Sequence, residues 1–140
     1  MKTIVVGYDD TDASKRALMR AAEYARAFDA QVVVTSVARL IPGTARGVGP
    51  VDPTDTPAMH EEQLKQAAAV LSEKGITPEL VPATGDPADA IVRLAEERQA
   101  DLVVVGTHEP NVVERLFHQS VSRQVAHNVH RDLLIVHPAH

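Results

Sequence analysis

The chain has 140 residues, of which 44% are apolar and 24% charged, with no cysteine and a formal net charge of −5. That length suits one domain, 1–140, with enough apolar content to bury a core without cross-links. Lack of cysteine excludes disulfides and thiolate metal sites and fits a reducing, cytoplasmic setting. The acidic balance argues against nucleic acid as a partner, and no apolar run approaches a membrane span or a signal peptide.

In chain order, Ile4 to Val6 is a short β-branched run that reads as a buried strand, ended by Gly7-Tyr8-Asp9-Asp10. From Thr11 the apolar period becomes helical, with Ala17, Leu18, Ala21, Ala22, Ala25 and Phe28 on one face and Thr11, Asp12 and Ser14 as cap candidates. Val32 to Val37 is a second buried strand. Residues 39–57 hold four of the nine prolines and three of the seven glycines with no period, so a long mobile loop is expected. Met59 to Lys74 is helical, with Leu64, Ala67, Ala68 and Leu71 inward and Gly75 as its stop.

Ile76 to Ala83 reads as a strand, and Pro78 and Pro82 place it at a sheet edge because each removes a ladder donor. Asp86-Pro87 opens the next helix as cap and first residue, with Ile91, Leu94 and Ala95 inward. Leu102 to Val105 is a buried strand that stops at Gly106. After a polar loop, Ser120 caps a helix carrying Val121, Val125 and Val129, and a last strand covers Leu133 to Val136. Alternating strands and helices imply an α/β, doubly wound, five-stranded parallel sheet covered on both faces. Ligands of such sheets gather at the carboxyl ends of the strands near the switch point. A strand, a glycine turn, a loop and a capped helix are the parts of an anion cradle, so Gly106 to Ser120 is the stretch of most interest.

Three segments, IVVGYDDTDASKRAL, GDPADAIVRLAEERQADLVVVGTH and SVSRQVAHNVHRDLLIVHP, together resemble the universal stress protein family over nearly the whole chain. The resemblance implies a three-layer Rossmann-like fold, related to adenine nucleotide alpha hydrolases, with strand order 3-2-1-4-5. It also implies a homodimer formed through the last strand, Asp132 to His137. Many members bind ATP through Gly, two residues, Gly, nine residues, Gly, then Ser or Thr. On this chain the first Gly is Gly106 and the Ser is Ser120, while Glu109 and Gln119 stand at the other glycine positions. By the same resemblance Asp9 and Val37 match positions that hold adenosine, and Ser120 and Val121 match the phosphate-facing helix start.

A phosphate cradle needs inward backbone amides and close approach of the backbone to the anion. Glu109 precedes Pro110 and is pushed toward extended conformations, and its carboxylate repels a triphosphate, with Arg115 or Arg123 as partial offsets. Gln119 adds a side chain where bare backbone is needed. ATP binding is therefore expected to be lost or weakened, and no cofactor is certain.

Asp9-Asp10 suggests an Mg²⁺ pocket of the phospho-receiver kind, but that site also needs an acceptor Asp where Gly106 stands and a Lys where His137-Pro138 stands. For Asp9, helix capping competes evenly with a ligand role. Of the seven histidines, His127 and His130 are three apart on a helix without a third ligand, and His108 reads as a loop histidine on the rim. With no nucleophile–base pair, the chain is not expected to be an enzyme. The expected function is a non-catalytic dimeric module in stress response. The alternative is an adenine-nucleotide sensor for ATP, AMP or cyclic AMP.

Overall fold

The computed structural model describes residues 1–39, 56–107 and 121–138. The strands are β1 (Thr3–Gly7), β2 (Gln31–Ala38), β3 (Glu79–Thr84), β4 (Leu102–Gly106) and β5 (Asp132–Val136). The described helices are α1 (Asp12–Phe28), α2 (Pro57–Glu73), α3 (Pro87–Glu97) and α4 (Val121–Asn128). All strand pairs are parallel and the sheet order is β3-β2-β1-β4-β5. Of the stretch expected to be a loop at 39–57, residues 40–55 lie outside the described residues, and Pro57 is already the first residue of α2.

The register runs straight across the sheet: Glu79, Val33, Val5, Val103 and Leu133 form one row, and Leu80, Val34, Val6, Val104 and Leu134 the next. Successive side chains of a strand point to opposite faces, so the two rows feed different cores. Ile4, Val6, Val32, Val34 and Val104 pack with Ala17, Leu18, Ala21 and Ala22 of α1 and Leu64, Ala67 and Leu71 of α2. Val5, Val33, Val103 and Val105 pack with Ile91, Leu94 and Ala95 of α3 and Val125 of α4. The alanine-rich face of α1 lets that helix lie close over the central strands.

Caps fix where the helices begin. Thr11, Thr56 and Asp86 each accept a backbone N–H from the first turn of α1, α2 and α3, and Pro follows the cap in α2 and α3. Gly75, at φ 77°, takes the left-handed turn after α2. β3 is an edge strand, with Pro82 within it opposite Ser36 and Pro78 just before it.

Two expectations for inward residues fail. Phe28, the final residue of α1, is 53% exposed. Its ring stacks on Tyr24 instead, with centroids 6.3 Å apart. Ala68 is only partly buried beside the fully buried Ala67.

At the amino end of the sheet, Asp101 accepts the backbone N–H groups of Lys2 (2.8 Å) and Thr3 (3.0 Å), joining the starts of β1 and β4. Those two donors favour the ionised carboxyl and hold it below its ordinary range. Arg98 grips Glu79 with two bonds, 3.0 and 2.7 Å, and so ties the end of α3 to the start of β3.

Candidate functional site

The sheet order reverses between β1 and β4. The chain leaves β1 into α1 on one face, and the next described helix after β4, α4, lies on the other. A crevice at the carboxyl ends of these two strands follows from that divergence. Its described rim consists of Tyr8 to Asp12, Val37 to Arg39, Thr84 to Asp86, and Gly106 with Thr107.

Asp9 does not cap α1. It braces the cap: its Oδ1 accepts the Thr11 N–H (3.2 Å) and the Thr11 hydroxyl, while Thr11 Oγ1 accepts the Ser14 N–H. The Asp9 N–H donates to Ser14 Oγ at 3.2 Å. Among the described residues Asp9 Oδ2 makes no bond, so one oxygen of an exposed, fixed carboxylate faces no protein partner. Asp10 sits in the left-handed region at φ 63°, a conformation Asp tolerates better than most residues. Its Oδ1 accepts the Tyr8 hydroxyl and meets Lys15 Nζ, both at 3.4 Å. The two acids of the supposed Mg²⁺ pocket thus have separate partners. Among the described residues no group of three His, Asp or Glu is placed to hold a metal.

Tyr8 is 4% exposed. Burial, then the charge of Asp10 and the bond to it, then Asp9, push its phenol up to about 12. The hydroxyl therefore stays protonated at neutral pH and donates.

Gly106 ends β4 against the first turn of α1. A Cβ there would stand 2.1 Å from the Ala13 carbonyl oxygen, so only glycine fits. Val37, near the end of β2 opposite Ala83, is buried. Val121, the first residue of α4, is partly buried and packs against the core that holds Val125. Asp9, Gly106 and Val37 are thus brought to one rim. Ser120, Glu109, Gln119 and His108 lie outside the described residues.

Several polar residues near the rim were not singled out from sequence. Arg16, one turn after Ala13, reaches the Thr107 carbonyl at 3.4 Å. Ser36 binds His60 Nδ1 and donates to Gln63 Oε1 at 2.9 Å, a buried polar cluster that joins β2 to the start of α2. The only sequence signal for Arg16 is its flank position beside the small residues Ala13 and Ala17. For His60 there is an (i, i+3) spacing with Gln63.

The universal stress protein family model matches residues 1–137. A universal stress protein of Mycobacterium tuberculosis is 35% identical over 143 residues, covering 97% of this chain and 96% of its own. Among solved structures, a universal stress protein in complex with cAMP has a TM-score of 0.77 and 31% identity, covering 99% of this chain and 98% of its own. The Archaeoglobus fulgidus universal stress protein in complex with dAMP has a TM-score of 0.70 and 27% identity, covering 97% of this chain and 98% of its own. With the family model spanning almost every residue and the same parallel sheet underneath, the chain belongs to the universal stress protein family.

Proposed function

We propose that this chain is a non-catalytic, cytoplasmic stress-response module that binds an adenine mononucleotide, AMP or cyclic AMP, in preference to ATP. The observation that carries the reading is Asp9. Its carboxylate is locked by Thr11, with a spare oxygen at the switch-point rim able to accept from a ribose hydroxyl or an adenine amino group. Val37 supplies an apolar contact at the same rim, and the bare backbone of Gly106 keeps α1 and β4 close. Support comes also from the relatives at 31% and 27% identity, solved with cAMP and dAMP. Against a triphosphate stand Glu109 and Gln119 in place of glycines, and the carboxylates of Asp9, Asp10 and Asp12.

Calorimetric titration of nucleotide-stripped protein with ATP, AMP and cyclic AMP tests this, beside a Glu109→Gly, Gln119→Gly double variant. The wild type should bind a monophosphate at least about tenfold more tightly than ATP, a difference of about 1.4 kcal/mol, and the double variant should regain ATP. A low-micromolar ATP dissociation constant for the wild type would overturn the proposal.

The module also acts as a homodimer through β5 in this reading. Among the described residues that strand pairs only with β4, and Leu133, Leu134 and Ile135 are each partly exposed along it. An apolar open edge favours pairing with a second copy.

A further inference from the structure

Arg16 lies on α1 one turn beyond the contact between Ala13 and Gly106. Its side chain is partly buried, and its Nη2 donates to the Thr107 carbonyl at 3.4 Å. That is long for a guanidinium, whose N–H···O distances centre near about 2.9 Å. Its Nε is shielded from solvent and has no hydrogen-bond partner among the described residues. Nor does a carboxylate of the described residues lie within ion-pair distance of it. Other cations of the chain differ: Lys15 meets Asp10, Arg98 meets Glu79 and Arg131 meets Glu96.

Nε and Nη2 form the edge with which arginine grips a carboxylate or phosphate at two points. Here that edge meets one neutral carbonyl at long range. A partly buried cation without a counter-charge is unfavourable, and so is a buried donor without an acceptor. Both features fall where β4 ends, at the mouth of the crevice between β1 and β4.

We propose that Arg16 is the anion-binding residue of the nucleotide site: its guanidinium takes the phosphate of an adenine mononucleotide, displacing or sharing the bond to the Thr107 carbonyl. This rests on the function proposed above and sharpens it. One guanidinium neutralises the single charge of a cyclic AMP phosphodiester and part of that of an AMP phosphate, but a triphosphate brings further negative charge toward Asp9, Asp10 and Asp12. Arg16 thereby selects for ligands with a single phosphate.

The test is calorimetric titration of wild type, Arg16→Lys and Arg16→Met with AMP, cyclic AMP and adenosine, after matched circular dichroism spectra show that each variant is folded. Arg16→Met should lose on the order of 10- to 100-fold for AMP and cyclic AMP, as expected for one charged hydrogen-bonding group. Its affinity for adenosine should stay unchanged, and Arg16→Lys should recover part of the loss. Unchanged AMP affinity in Arg16→Met overturns the proposal, as does an equal loss for adenosine, which would make Arg16 only a brace for the end of β4. If the wild type binds no adenosine compound, the nucleotide reading fails, and thermal shift with inorganic phosphate then decides on Arg16 alone. Stabilisation of the wild type but not of Arg16→Met supports an anion site there; equal shifts overturn it.

Discussion

Replacing Gly106 by alanine probes the contact that holds the crevice together. The added methyl would lie 2.1 Å from the Ala13 carbonyl oxygen and 2.4 Å from its carbon, where 3.4 Å is the start of ordinary contact. Both obstructing atoms are backbone in the first turn of α1, so no rotamer change relieves the clash. Either α1 lifts from β4 by about 1 Å, opening part of the core, or β4 twists away from its pairing with β5. Overpacking typically costs 1–3 kcal/mol, and with backbone on both sides we expect about 3 kcal/mol or more. For a chain of this length that lowers Tm by on the order of 10 °C.

Gly7→Ala is the matched control. Its methyl would meet the Cδ1 of Ile91 at 2.9 Å, the far end of a flexible side chain. Rotation of Ile91, together with the entropy gained by removing a strand glycine, should keep the cost below about 1 kcal/mol. Urea unfolding followed by circular dichroism measures both, and titration with AMP reports on the rim. If Gly106→Ala lies within about 1 kcal/mol of wild type, or Gly7→Ala costs as much as Gly106→Ala, the packing argument fails.

The Tyr8 phenol, raised from 10 to about 12, predicts a tyrosine component that ionises late in an ultraviolet titration. A folded pKa above the unfolded one means that this stabilisation is fully present below pH 10 and is lost as pH rises from 10 through 12. It amounts to about 2–3 kcal/mol. Tyr8→Phe should remove the late-ionising component, and a wild-type titration complete by about pH 11 would contradict the burial argument. For the dimer, light scattering at micromolar concentration should give twice the 15.1 kDa chain mass. A monomer there rules out pairing through β5.

What the sequence made legible follows local physics. Asp86-Pro87, Thr11 and Gly75 announce helix ends through contacts within four residues, and they are found where expected. The β-branched runs announce buried strands, and Pro82 announces an edge. Contacts across long stretches of chain were not legible. Arg16 and Thr107 are 91 residues apart, and Ser36 and His60 are 24 apart across a stretch without period. Asp9 was partly legible: the capping expected of it falls to Thr11, which Asp9 braces, and that division of labour depends on the left-handed turn at Asp10, which a run of polar residues does not reveal. Phe28 fits the helical period and still lies outside, because a period says nothing of where the sheet stops beneath a helix.

The central position of β1 has a consequence for how the protein is made. Its partner on one side, β2, begins 28 residues later in register, but its partner on the other side, β4, pairs Ile4 with Leu102. At ribosomal rates of about 5–20 residues per second, one edge of β1 waits roughly 5–20 s for its neighbour. During that interval Val5 and Val6 form part of an open, apolar template that another nascent chain can pair with. The Asp101 clasp on the Lys2 and Thr3 amides forms only when β4 emerges, and so marks the moment when the open edge closes.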